Sequence, residues 1–196
     1  KKKKQKNDCK KIIIYTNNQG PKEWAEKIVQ FFDQKLKYKL FDQIIGAYKV
    51  KNKIIEPTRT THDKTIEDLL DTANLPKHAN ICFIDDLYHP LMDNDNIYYI
   101  NVDPYIYTIP FDVMAERYYN QNHEIDEINK IDEINKSEFI KFIVKHSKEY
   151  DFDIKKKTIM EFDNDKENGK EILSYLYKFF KINKQKKIKR LKKYNN

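Results

Sequence analysis

The sequence predicts an α/β chain built on a parallel sheet, and two short apolar runs carry that prediction. The first is Ile12-Ile13-Ile14-Tyr15, which stops at Thr16-Asn17-Asn18; the second is Ile81-Cys82-Phe83-Ile84, which stops at Asp85-Asp86. Four apolar residues that end abruptly at polar groups read as a buried parallel strand. A third observation is the helical periodicity between these runs, because strands alternating with amphipathic helices imply right-handed crossovers. In open α/β sheets ligands sit at the carboxyl ends of the strands. A hydroxyl at one strand end and paired carboxylates at another can jointly hold a phosphate and a divalent metal.

The elements follow in order. Gly20-Pro21 opens a helix, since proline's missing N–H costs nothing in the first turn. Trp24, Ile28, Phe31, Phe32 and Leu36 recur at helical spacing and predict its buried stripe. Ile44-Ile45, within residues 41–50, fits a short strand, and residues 53–61, with Pro57 and three threonines, read as a loop. Asp63 is placed to cap the next helix, which carries Ile66, Leu69, Leu70 and Ala73 on one face. Asn74-Leu75-Pro76 ends it. The Ile81–Ile84 strand, a polar loop through His89-Pro90 and a strand over Ile97–Val102 complete an α/β core over residues 10–119.

Beyond Tyr119 the character changes. Ile-Asp-Glu-Ile-Asn-Lys occurs twice in succession, at 125–130 and 131–136. A repeat architecture needs units of ~20 residues or more, so residues 120–136 read as a charged low-complexity linker or helix extension. Residues 137–183 read as a helical extension. Within it, Ser137 is placed to cap a helix bearing Phe139, Ile140, Ile143 and Val144, and a second helix over about 167–182 bears Ile172, Leu173, Leu176, Phe179 and Phe180. A basic tail, 184–196, follows.

Charged residues make up 35% of the 196 and apolar residues 39%, too apolar for a disordered chain and enough for one domain with an appendage. The net charge of +7 is concentrated at Lys1–Lys4 and at Lys184–Lys193. Such ends attract polyanions by counterion release, so Lys184–Lys193 is expected to bind nucleic acid weakly and without sequence preference. Ile188 and Leu191 are too few apolar residues for that segment to hold a stable helix in isolation. With no run near the ~18 apolar residues a span requires, no membrane segment is expected. Two cysteines, one inside a predicted strand, give no disulfide framework and point to a reducing, intracellular compartment, cytoplasm or nucleus. The chain begins with Lys, which suggests a processed form or a piece of a longer protein.

The run Ile12-Ile-Ile-Tyr-Thr-Asn-Asn, then Lys64 at a helix start, then Ile81-Cys-Phe-Ile-Asp-Asp resembles motifs two, three and four of the haloacid-dehalogenase-like (HAD-like) superfamily. Asp85-Asp86-Leu-Tyr-His-Pro, with Ile97-Tyr-Tyr-Ile-Asn-Val-Asp-Pro-Tyr after it, is most similar to a branch in large DNA viruses, related to the NLI-interacting-factor and polymerase C-terminal-domain phosphatases. The resemblance covers about residues 10–118. It implies a Rossmann-like parallel sheet and Mg²⁺-dependent hydrolysis of a phosphomonoester through an aspartyl-phosphate, in a virus-infected host. It also implies that Thr16 hydrogen-bonds a phosphate oxygen beside Asn17 and Asn18, that Lys64 offsets phosphoryl charge, and that Asp85 and Asp86 hold Mg²⁺. These roles suit phosphoryl transfer, which is mostly positioning and charge neutralisation, and Mg²⁺, which takes a few carboxylate oxygens plus waters.

The family's first motif, an apolar strand ending in Asp-x-Asp-x-Thr that carries the nucleophile, has no counterpart before Thr16. Only Lys1–Cys9 stand there, with Asp8 in a lysine-rich context. The sequence therefore predicts an incomplete sheet without a nucleophile, the larger part of a longer protein, and a chain inactive alone. The alternative is a catalytically inactive HAD-like binding module that engages nucleic acid or a protein through its basic tail. The substrate class stays open, because specificity in this superfamily lies in loops and caps. His62, His89, Asp93 and Asp95 match no helical metal-ligand spacing and read as loop residues. Arg59 and His62, just before Lys64, are placed to contact substrate in a HAD-like site, with a loop role as the favoured alternative. Asp163-Asn-Asp-Lys-Glu-Asn-Gly lacks the glycine position and terminal glutamate of a calcium loop.

Overall fold

The computed structural model describes residues 1–123, 135–149 and 154–194, with 122–123 and 185–194 described by backbone alone. The tandem hexapeptide lies outside the described residues except for its final residues. The chain divides into two compact units, residues 1–102 with 171–196 and residues 103–170.

The first unit is mixed α/β with short parallel sheets. Strand β1 (Ile13–Tyr15) pairs in parallel with β2 (Gln43–Ile45), and β5 (Ile81–Asp85) pairs in parallel with β6 (Ile97–Asn101). Between them in sequence, β3 (Lys49–Val50) and β4 (Lys53–Ile54) form an antiparallel hairpin. This hairpin departs from the loop expected over 53–61. Its signal is local: Lys51 and Asn52 both take positive φ, 47° and 63°, the backbone of a two-residue turn matched to strand twist.

Helix α1 (Lys2–Gln5) precedes β1. It engages the lysine-rich start, because Lys4 Nζ donates to the Leu40 carbonyl at 2.8 Å and to Asp42 Oδ1 at 2.7 Å. Asp42 Oδ2 in turn accepts from the Ile12 N–H at 2.8 Å, which sets the entry of β1 beside β2. Helix α2 (Lys22–Leu36) departs from its predicted burial. Ala25 is its buried residue, with Ile28, Val29 and Leu36 half-buried, while Trp24, Phe31 and Phe32 are exposed. The inner face is therefore rotated toward the small and aliphatic side chains. Phe32 still stacks edge-on against Phe41, with ring centroids 5.8 Å apart.

Helix α3 (Ile66–Thr72) is capped by Thr65, whose hydroxyl accepts from the Asp68 N–H at 3.0 Å. The expected cap, Asp63, lies two residues outside. Thr65 wins because its extended backbone (φ −122°, ψ 155°) aims its oxygen at the open first turn. Ile45, Leu69, Ala73, Phe83 and Met92 form the core, so β2, α3 and β5 meet there. Partly buried Ile13, Tyr15, Ile81 and Tyr99 pack on the same cluster, which joins both parallel pairs to one interior.

The second unit is helical. Helix α4 (Phe111–His123) packs against α5 (Lys136–Ser147), with Phe139 stacked on Tyr118 at 6.0 Å. Phe139, Ile140, Ile143 and Val144 are half-buried, as the spacing predicts. The cap is Asn135, not Ser137: its side chain accepts from the Glu138 N–H at 3.0 Å, and Ser137 falls inside the first turn. Lys157 pairs with Asp165 and lies 4.0 Å from the centre of the Tyr105 ring.

Helix α6 (Ile159–Tyr194) is longer than the predicted 167–182 and spans both units. It starts at a capping box in which Thr158 and Glu161 exchange hydrogen bonds. Ile172, Leu176, Phe179 and Phe180 are half-buried, and Phe179 meets Tyr98 of β6 at 5.7 Å. Leu173, predicted on that face, is exposed. The backbone stays helical through the basic segment because extending a formed helix avoids the nucleation cost that would defeat the segment alone. No helix among the described residues is long and apolar enough to cross a membrane.

Candidate functional site

Polar side chains converge at the carboxyl ends of β1 and β5. Lys64 sits one residue before the α3 cap and is 7% exposed. Its Nζ donates to Asp85 Oδ2 at 2.5 Å. The same ammonium lies 5.7 Å from the Tyr15 ring centre and 5.8 Å from that of Phe83. Tyr15 ends β1 and Asp85 ends β5, so this lysine stands where both strands terminate.

Asp85 is held on every side. Its Oδ1 accepts from the Leu87 N–H at 3.0 Å, an Asx-turn that folds the chain back just past the strand. His89 Nε2 lies 3.4 Å from the same oxygen and makes no hydrogen bond. Tyr99 fixes the turn from β6, its hydroxyl accepting from the His89 N–H and donating to the Leu87 carbonyl, both at 2.9 Å. Desolvation raises the Asp85 pKa, but the Lys64 hydrogen bond, the Leu87 N–H and the charges of Lys64 and His89 outweigh it. The net result is a carboxyl below its ordinary range.

Arg59 is the hidden organiser. It is 2% exposed, and its guanidinium reaches three segments at once. Nη1 donates to Asn17 Oδ1 and the Gly46 carbonyl, both at 2.8 Å, and approaches the Thr16 carbonyl at 3.5 Å. Nη2 donates to the carbonyls of His62, at 3.2 Å, and Asp63, at 2.9 Å. The ends of β1 and β2 are thereby tied to the loop that delivers Lys64. The cation also lies over the Tyr15 ring at 4.8 Å, while Nε is buried without a hydrogen bond. Buried Asp68 holds the other side of this loop, accepting from the Thr60 N–H and hydroxyl. Tyr15's hydroxyl accepts from the Thr65 N–H at 3.3 Å, and burial raises its pKa above the ordinary value.

Lys64 and Asp85 are thus in contact, and Thr16 directly follows the Tyr15 ring that flanks them. Thr16 Oγ1 accepts from the Asn18 N–H at 3.0 Å, and Asn18 Oδ1 accepts from the Gly20 N–H at 2.6 Å. Both polar groups therefore shape the turn after β1. Asn17 serves Arg59, and Asp86 is exposed. Sequence reasoning misses Tyr15, His89 and Tyr99 as site residues, and it weighs Arg59 as a substrate contact or a loop residue without its role in tying the strand ends together. The single local signal for His89 is its place four residues after a strand-end aspartate.

For Mg²⁺, the residues present are Asp85 and Asp86. Both oxygens of Asp85 already face donors, Asp86 is exposed, and no group of three or more His, Cys, Asp or Glu converges among the described residues. This donor set does not form a magnesium site by itself. No protein-family model, curated protein or solved structure matches the chain.

Proposed function

We propose that this chain is a phosphoryl-binding domain of the HAD-like type, receiving a phosphomonoester at the carboxyl ends of β1 and β5. The observation that carries the reading is Lys64, a buried lysine pinned between a strand-end aspartate and the last aromatic ring of the neighbouring strand. An ammonium has three N–H donors, and Asp85 takes one. A phosphate oxygen arriving at the strand ends would meet the remaining donors in a poorly hydrated setting, where each is worth more than in water. The Thr16 hydroxyl, already accepting from the Asn18 N–H, has its own proton to donate toward the same oxygen group. Arg59 holds the loop before Lys64, so the lysine is pre-positioned rather than recruited.

Hydrolysis of the HAD-like kind needs a carboxylate nucleophile. Asp85 is the only carboxylate in contact with Lys64 among the described residues, and its oxygens are engaged by Lys64 and the Leu87 N–H. The magnesium ligand set is likewise incomplete, so these residues support phosphate binding without a metal-assisted step. The chain alone should hydrolyse p-nitrophenyl phosphate no faster than buffer, with or without Mg²⁺. Robust Mg²⁺-dependent turnover abolished by Asp85→Asn would show that the nucleophile lies within this chain after all. Inorganic phosphate should nonetheless raise the unfolding temperature by mass action, and Lys64→Gln should remove that rise. An unchanged melting temperature in saturating phosphate would favour the second reading, a scaffold that binds partners without phosphate. The engagement of Asn17 by Arg59 and of Asn18 in its own turn is the observation on that side.

A further inference from the structure

Charge is divided unevenly along the chain. Its 38 basic and 31 acidic residues leave a net +7. Residues 1–11 carry seven lysines and one aspartate, and residues 178–194 carry nine basic residues and no acid. Everything else holds 22 basic against 30 acidic residues, a net −8. Excess positive charge is thus confined to two segments that are far apart in sequence.

The fold brings these segments together within the first unit. Lys3 Nζ lies 5.0 Å from the centre of the Phe180 ring. Phe180 is about one turn before Lys184, where the densest run of cations starts, so α1 stands beside the entry to the basic part of α6. Both partners are fastened. Lys1 Nζ donates to the Leu36 carbonyl at 2.7 Å, Lys4 bonds Leu40 and Asp42, and Phe179 packs on Tyr98. Lys3 and Lys4 face the carboxylates of Asp8 and Asp42, but Lys2, Lys6, Lys181 and Lys184 are exposed and form no ion pair among the described residues. Asp42 holds α1 at the amino ends of β1 and β2, whereas Lys64 and Asp85 stand at strand carboxyl ends. The basic surface is therefore separate from the phosphate site.

The shape of the charge points to its partner. Over residues 184–193 the 3.6-residue period places Lys186, Lys187, Lys189, Arg190, Lys192 and Lys193 all round the helix axis. A flat anionic surface engages one side of a helix and leaves the other cations unmatched. A membrane also needs an apolar face, which Ile188 and Leu191 are too few to supply. Unpaired bases need aromatic rings to stack on, and residues 184–193 contain none. A groove walled by phosphates on two sides suits cations spread round an axis. The major groove of B-form DNA, about 12 Å wide, admits one α-helix, whereas that of A-form RNA is deep and narrow. We infer that α1 and the basic part of α6 form one composite surface for duplex DNA, with residues 184–193 in the major groove and the lysines of α1 on the adjoining phosphate backbone. Phosphate contacts carry no sequence preference, and the acidic remainder of the chain directs the duplex to this surface.

The test is fluorescence anisotropy of a short labelled DNA duplex titrated with the full chain, between about 50 and 200 mM salt. The parent chain should saturate as a single site, with the logarithm of affinity falling linearly against that of salt. Lys2→Gln with Lys6→Gln removes two charges from the α1 side, and Lys189→Gln with Arg190→Gln removes two from α6. Each pair should make the salt slope shallower by about two and weaken binding about tenfold or more at low salt. Lys2→Arg with Lys6→Arg keeps the charge and should bind as the parent does. An RNA duplex of the same sequence, tested on the parent chain, should bind at least about tenfold more weakly. Unchanged binding by the α1 pair would mean that the tail acts alone, and unchanged binding by the α6 pair that the helix is not used; either overturns the inference. So would equal affinity for the RNA duplex, or for vesicles of phosphatidylserine and phosphatidylcholine.

Discussion

Replacing Arg59 with methionine is expected to lower the unfolding free energy by about 3–5 kcal/mol, the largest effect of any single polar substitution in the chain. Methionine keeps much of the stem volume but removes every donor. The carbonyls of Gly46, His62 and Asp63 and the side chain of Asn17 then lose the buried donor that ties them together. Hydrogen bonds from a charged donor are the stronger kind, and buried acceptors left unmade carry the full desolvation cost. Arg59→Lys should recover only part of the loss, because one ammonium cannot span three segments as a planar fork does. Urea denaturation measures this directly. A loss under about 1 kcal/mol would show that the loop before Lys64 is held by other contacts.

Lys64→Met should cost about 3 kcal/mol at neutral pH, mostly because it strands Asp85 as a poorly solvated carboxylate without its cation. Asp85→Asn also leaves the buried Lys64 ammonium without its anion, but it should cost less, since an amide oxygen can still accept from the Leu87 N–H or from that ammonium. The pH dependence separates the two causes. In the parent chain the folded Asp85 pKa lies below the unfolded value of about 3.9. The unfolded chain therefore takes up the proton first. The stabilisation is complete above about pH 4 and is lost as pH falls through the lower folded value. In Lys64→Met desolvation prevails and the folded pKa moves above the unfolded one, so that variant should instead lose stability as pH rises from about 4. A Lys64→Met chain with the same acid limb as the parent would mean that the ion pair does not set the Asp85 ionisation.

Strands β1, β5 and β6 are legible in the sequence because a buried parallel strand writes itself as a contiguous apolar run. Lys64 and Asp85 are legible through their order along the chain and their places at a helix start and a strand end. The caps are misread by two residues at both α3 and α5, since Asp63, Thr65, Asn135 and Ser137 are all competent caps and backbone geometry chooses between them. Trp24, Phe31 and Phe32 look like core by spacing, yet the helix turns its smaller residues inward; periodicity finds a stripe without fixing which edge of it is covered. Arg59 is legible only as a loop cation. Its five acceptors come from residues 16, 17, 46, 62 and 63, a convergence that exists only after β1, β2 and the loop have assembled. Tyr99 and His89 are hidden for the same reason, one acting from β6 on a turn ten or more residues away. That β1 and β5 each pair on one edge only is not legible either, because a strand paired on one edge has the same apolar run as one paired on both.

If Lys64 and the end of β1 receive a phosphate group, titrating the full ¹⁵N-labelled chain with inorganic phosphate reveals it most directly, with chloride at matched ionic strength as the reference. The expected result is saturable shifts confined to the amides of Thr16, Asn17, Lys64, Thr65 and Asp86, absent in Lys64→Gln although its spectrum remains that of a folded chain. Shifts scattered over the lysine-rich ends, unsaturated and unchanged in Lys64→Gln, would contradict phosphate binding at this site.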